Sequence, residues 1–243
     1  MRAEDWAVGF ARTHDPGASA ALEPRPAATL ACVQELIPTP AGDARITRFP
    51  APARKRRAVL ALGHGAGGGI AAPDLQALAA GLPGAGIDVV LVEQPWVVAG
   101  KRLAPAPKTL DAGWLPVAEA VREGARRTPF LVGGRSAGAR VACRTGAESG
   151  AAGVVALAFP LHPPGKPEKS RADELVDSGL PTLVVQGATD PFGTPAEFPQ
   201  LPRTHRLVAL PAGDHGFKVK KTEEPVLDAL VAAVVEWIAA LPR

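Results

Sequence analysis

The 243-residue chain contains no tyrosine, a single methionine and only 5% aromatic residues. A core built without large rings must be filled by leucine, valine and alanine, and the hydrophobic share of 47% is ample for one. With only Cys32 and Cys143, the chain has no disulfide framework of the kind that staples small secreted domains. Cys143 falls in an apolar stretch and reads as a buried small residue. No apolar run reaches the length of a membrane span. Charges are scattered through Met1 to Leu22, which gives no secretory leader pattern, so a reducing, cytoplasmic setting is expected. The net charge of +3 is mild. The densest basic run, Arg54-Lys55-Arg56-Arg57, precedes a strand and has no aromatics interleaved with it. It reads as a solvated loop, and no nucleic-acid partner is expected.

What is present is a regular alternation. Residues 1–30 are rich in Ala and Pro without a sustained period and are expected to be a loose extension, with one domain over 31–243. Val33 to Ile37 and Ala44 to Phe49 read as a hairpin around Thr39-Pro40-Ala41-Gly42-Asp43. Apolar strands follow at Ala58–Leu62, Ile87–Val92, Phe130–Val132, Val154–Phe159, Leu183–Val185 and Arg206–Leu210. Helical patterns lie between and after them: Pro73–Leu82, Asp111–Arg127, Pro167–Ser178 and Pro225–Leu241. Gln94 to Thr109, rich in proline, reads as one long irregular stretch, usually a lid or binding wall. Such alternation predicts an α/β fold: a mostly parallel central sheet with helices on both faces and an N-terminal hairpin. Working groups in such sheets collect beyond the strand C-termini.

One pentapeptide carries the chemistry. Gly134-Arg135-Ser136-Ala137-Gly138 follows the strand Phe130–Val132 and opens a small-residue helix. With five serines and 26 glycines in the chain, a G-x-S-x-G match is expected by chance roughly 0.06 times. A sharp strand-to-helix reversal needs backbone angles that a Cβ resists, hence the flanking glycines. The serine is left at the tip, beside the free N–H groups of a helix start.

A serine hydroxyl needs a base to take its proton. Of the five histidines, His14 is in the loose extension and His205 precedes its strand. His64, His162 and His215 follow strands. His215, in the loop after the last strand, is the candidate base, and Asp190, after the strand ending near Gln186, is its expected acid. Asp214 and Glu93 are weaker rivals. The order Ser136, Asp190, His215 is the nucleophile-acid-base order of one class of hydrolytic triad. Oxyanion donors are expected from Ala137 and from Ala66 or Gly65 in the loop Gly63-His64-Gly65-Ala66-Gly67-Gly68-Gly69, with His64 as a structural anchor. Trp96, Lys101 and Arg102 in the irregular stretch, and His162, are candidate substrate-binding residues. Arg135 is expected to brace the turn.

Two other readings compete. Gly63-x-Gly65-x-x-Gly68 after a strand, with Asp88 and Glu93 on the next, also fits a dinucleotide fingerprint. Against it, Pro73 starts the helix late, and that reading leaves the contexts of Ser136, Asp190 and His215 as separate accidents. A non-catalytic interaction scaffold would keep the fold but has no need of all three residues.

Taken together, Gly63–Gly67, Gly133–Arg140, Phe159–Gly165, Gln186–Gly193 and Gly213–Phe217 resemble the α/β-hydrolase superfamily. Over residues 33–243 the chain is similar to its dienelactone-hydrolase-like branch, which includes testis-expressed and chromatin-complex-subunit hydrolase-like proteins and bacterial relatives. The resemblance implies a triad of Ser136, Asp190 and His215. Dienelactone hydrolases proper use cysteine as nucleophile, where this chain has serine. Some relatives act mainly as complex subunits, so a protein partner is compatible with the resemblance. The expectation is a serine hydrolase acting on a small acyl substrate, an ester before a thioester or amide, with no metal or organic cofactor.

Overall fold

A computed structural model describes residues 33–242. The expected extension over residues 1–30, and Cys32, lie outside the described residues. The hairpin is formed by β1 (Val33–Ile37) and β2 (Ala44–Phe49), paired antiparallel. Then come β3 (Ala58–Gly63), α1 (Pro73–Gly81), β4 (Ile87–Glu93), α2 (Pro95–Val98), α3 (Pro107–Ala125), β5 (Phe130–Arg135) and α4 (Ala137–Thr145). The chain continues through β6 (Val154–Leu157), α5 (Ala172–Val176), β7 (Thr182–Gly187), β8 (His205–Leu210) and α6 (Leu227–Ala240). One eight-stranded sheet runs in the order β1-β2-β4-β3-β5-β6-β7-β8. The join between β2 and β4 is antiparallel and every later pairing is parallel.

The order follows from the sequence. Strands β3, β6 and β7 are buried along their whole length, as parallel strands covered on both faces must be, and their centres are runs of Val, Leu and Ala rather than an apolar-polar alternation. Each face has its own apolar layer. Trp114 of α3, with Val117, Val121, Ala139 and Val141, packs on Ala61, Val92 and Val132. Leu75 and Leu78 of α1, with Leu230, Val234 and Trp237 of α6, pack on Leu60, Leu91 and Leu131. Trp114 is 1% exposed, and truncating a ring of that size in a core costs about 3–5 kcal/mol. Cys143 is buried in the first layer, and burial pushes its thiol up to about 12.

Three expected elements differ. The stretch Gln94–Thr109 is not irregular throughout: Pro95 and Pro107 each begin a helix. Proline at the first helical position loses only an N–H that has no intrahelical partner, and its fixed φ suits the turn. Helix α3 therefore starts at Pro107 rather than Asp111. The segment expected to be one helix over Pro167–Ser178 is broken into a 3-10 turn, Pro167–Lys169, and α5, with Ser170 and Arg171 between them. Strand β6 stops at Leu157, because Ala158 takes a positive φ of 43°. The basic run lies on an exposed turn, where Arg56 pairs with Asp88. Among the described residues, no helix is long and apolar enough to cross a membrane.

Candidate functional site

The C-terminal edge of the parallel strands carries the site. Between β5 and α4 the chain reverses at Ser136, whose φ and ψ are 55° and −111°. A non-glycine residue there is strained by about 1–3 kcal/mol, so the surroundings must hold it. The Ser136 N–H donates to the Leu157 carbonyl at 2.9 Å, and Ser136 O accepts the Arg140 N–H at 3.2 Å. Close packing completes the turn. A Cβ at either Gly134 or Gly138 would come within 2.5 Å of the Gly63 carbonyl oxygen, so only glycine lets β3, β5 and α4 approach this closely.

The histidine comes from the loop after β8. His215 Nε2 lies 2.8 Å from Ser136 Oγ, and Nδ1 lies 2.8 and 3.0 Å from the two carboxylate oxygens of Asp190. A carboxylate facing Nδ1 fixes the proton there and leaves the Nε2 lone pair toward the serine hydroxyl. Asp190, in the loop after β7, is 1% exposed. Its Oδ1 accepts the Phe192 N–H at 2.8 Å and its Oδ2 accepts Gln186 Nε2–H at 2.9 Å. Phe192 also stacks on the imidazole, with ring centroids 4.1 Å apart. The rivals are otherwise engaged. Asp214 Oδ1 accepts the Gly216 and Lys218 N–H groups of its own loop, and Glu93 pairs with Arg45.

The glycine-rich loop after β3 is set by His64. Its Nδ1–H donates to the Gly65 carbonyl at 2.9 Å, and its Nε2 accepts the Gln94 N–H at 3.1 Å. Burial, foremost, pushes its pKa below the ordinary value, so the ring stays neutral and keeps one donor and one acceptor. Gly65 runs against the elbow: a Cβ there would lie 3.4 Å from the Ser136 Cβ. Ala66 and Ala137 stand beside Ser136 on the wall of a cleft of about 670 Å³. In the dinucleotide alternative the third glycine would sit inside the helix, but Gly68 precedes Pro73, where α1 begins. Asp88 is held by Arg56 and accepts the Ala51 N–H at 2.8 Å.

None of the candidate substrate residues lines this cleft, although Trp96 borders a small cavity shared with Gly65, Ala66 and Ala137. Trp96 and Lys101 line a second cavity of about 300 Å³, between the β1–β2 turn and the segment following β4. Trp96 is buried there, edge-on to His64 at 5.6 Å. Arg102 is exposed and borders neither cavity. His162 is buried away from the cleft, with Nδ1 2.9 Å from the Pro163 carbonyl and Nε2 3.1 Å from Glu197. The reasons differ: α2 folds the segment after Gln94 back onto β2, and His162 is turned toward Glu197. Among the other residues that line the cleft are Gly67 to Gly69, Ala71 and Ala72 and the cationic Arg135, Arg140, Arg171 and Lys218.

Several of these groups were not foreseen. Gln186 and Phe192 bracket Asp190 and were legible only as neighbours of a candidate acid. Arg171 reaches the cleft because the expected helix breaks there, and it donates to the Pro160 carbonyl at 3.1 Å. Asp74, fully buried at the start of α1, lines the cleft too. Nothing in its local sequence marked it. Among the described residues, no three His, Cys, Asp or Glu side chains are grouped to hold a metal ion.

Comparison with known proteins matches a family model described as an alpha/beta hydrolase domain over residues 56–242. No curated protein matches the chain in sequence. Among solved structures, XC6422 from Xanthomonas campestris, described as an a/b serine hydrolase without lid, is 22% identical with a TM-score of 0.66, covering 87% of this chain and 97% of that one. A dienelactone hydrolase from Anabaena variabilis is 18% identical with a TM-score of 0.66, covering 87% and 98%. Est1E from Butyrivibrio proteoclasticus is 14% identical with a TM-score of 0.63, covering 85% and 99%. At these identities the likeness is one of fold.

Proposed function

The chain belongs to the alpha/beta hydrolase domain family, and from that premise we propose that it is a serine hydrolase cleaving an ester through an acyl-enzyme. One observation carries the reading: His215 stands between Ser136 Oγ at 2.8 Å and the buried Asp190 carboxylate at 2.8 Å. In this mechanism Ser136 Oγ attacks the acyl carbonyl while Nε2 of His215 takes its proton. Asp190 orients the ring and stabilises the imidazolium that forms. The main-chain N–H groups of Ala137 and of Ala66, or else Gly65, hold the developing oxyanion. Nε2 then gives its proton to the leaving alkoxide, which departs as an alcohol. Water, deprotonated by the same nitrogen, attacks the acyl-enzyme, and its proton returns to Ser136 as the acid is released.

The small side chains of Ala66, Ala71 and Ala72 and the glycines between them leave the cleft room for an acyl group. No step of this mechanism requires a metal or an organic cofactor. Hydrolysis of p-nitrophenyl acetate and butyrate tests the reading. In Ser136→Ala, turnover falls by about 10⁶. An unchanged rate in that variant rejects the assignment.

A further inference from the structure

Building on the proposed hydrolase reading, we infer that Arg135 and Asp74 form a positioning pair, in which Arg135 fastens the loop of the base to the elbow and Asp74 cancels the charge that this fastening brings. Arg135 is the last residue of β5 and immediately precedes Ser136. Its Nη2–H donates to the main-chain carbonyl of His215 at 2.9 Å. One side chain therefore joins the nucleophile's strand to the backbone of the base, the two halves of the Ser136–His215 hydrogen bond. The same guanidinium borders the glycine-rich loop, because a Cβ at Gly65 would come within 2.9 Å of its Nη1. A side chain there would have to displace the guanidinium.

A cation in this position has an electrostatic cost. His215 must become positive as it takes the serine proton, and a like charge nearby opposes that step. Arg135 alone would hold the geometry and resist the chemistry. Asp74 answers the problem from a different element. It lies in the first turn of α1, is 0% exposed, and places Oδ2 3.6 Å from Arg135 Nε. Neither carboxylate oxygen is hydrogen-bonded to another side chain, and Arg135 Nε has no hydrogen-bond partner. The contact is one of charge rather than a bidentate bridge. Burial, foremost, raises the Asp74 pKa; the charge of Arg135, then the main-chain N–H groups of Asp74 and Leu75, and last the charge of His215 pull it the other way.

The remaining charged groups around His215 do not supply this balance. Asp190 faces Nδ1 and is committed to the ring. Asp214 is turned to the N–H groups of its own loop. Glu174 of α5 is shared between Arg140 and Arg144 of α4. Arg171 and Lys218 add positive charge to the cleft, and neither has an ion-pair partner among the described residues. Asp74 is the carboxylate left to offset Arg135.

The test follows the His215 imidazole by NMR titration in the Ser136→Ala background, which needs no turnover, together with the pH profile of kcat/KM for p-nitrophenyl acetate in the Ser136 protein. Asp74→Asn leaves Arg135 unbalanced, so the imidazole midpoint and the acid limb both move to lower pH by about half a unit or more. Arg135→Met moves the midpoint to higher pH and lowers kcat by about 10–100-fold through the released loop. The double variant returns the midpoint toward the parent while kcat stays low. A midpoint that is unmoved in both single variants, or moved the same way in both, overturns the inference. If Asp74→Asn does not fold, Arg135→Met and Arg135→Lys decide alone: the lysine variant keeps the midpoint and loses kcat. Shifted midpoints in a protein without Ser136-dependent esterase activity would reject the hydrolase reading and leave the charge pair standing.

Discussion

Thr189 gives both its main-chain N–H and its hydroxyl to the carbonyl of Gly213, at 3.1 and 3.0 Å. The two bonds tie the loop that carries Asp190 to the loop that carries His215. Gly213 meets them with a φ of 104°, a left-handed value that suits glycine. Replacing Thr189 by valine keeps the shape and removes only the hydroxyl bond. Thr189→Val is expected to cost about 1 kcal/mol in stability and to slow ester hydrolysis a few-fold. Denaturant titration beside steady-state kinetics measures both.

The elbow depends on close backbone approach. Gly138→Ala would push a methyl to 2.5 Å from the Gly63 carbonyl. The expected loss is about 1–3 kcal/mol, several degrees in Tm for a chain of this size. Activity should fall with it, since the Ser136 turn shares the contact. Calorimetry of the purified variant is the check.

The cavity lined by Trp96 and Lys101 is separate from the cleft at Ser136. Lys101→Glu is therefore expected to leave kcat/KM for neutral p-nitrophenyl esters within about twofold, as for an exposed charge lining a different cavity and screened by solvent. A large loss would return that segment to the substrate wall.

Glu174 sets a pH dependence of stability. Burial would raise its pKa, but the hydrogen bonds and charges of Arg140 and Arg144 outweigh it and hold the carboxyl below its ordinary 4.5. The folded chain thus keeps this group ionised where the unfolded chain would protonate it. Its contribution is complete above the unfolded value and disappears as pH falls through the folded one. Glu174→Gln should be less stable near neutrality, and its Tm should decline less steeply than that of the parent between about pH 5 and pH 3. Parallel melting curves across that range test the sign.

The sequence held much of this because a few residues do double duty. Ser136 was legible from the glycines around it, and those glycines are required by the approach of Gly63 that the fold makes. Asp190 and His215 were legible because each follows an apolar strand, and parallel strands bring their ends to one edge. The proline-rich segment misled for a physical reason: Pro95 and Pro107 look like breaks, yet each opens a helix. Side-chain direction was the hidden part. Trp96 and His162 were placed after the right strands, but packing turns one under His64 and the other to Glu197. Asp74 was illegible because its partner, Arg135, comes from a strand remote in sequence.

The most direct measurement is labelling of the folded protein with a fluorophosphonate, followed by mass spectrometry of the peptide that contains Ser136. A base-activated serine predicts a single adduct on Ser136, absent in Ser136→Ala and formed far more slowly in His215→Ala. A folded protein that takes no label there, or labels equally fast without His215, would contradict the account.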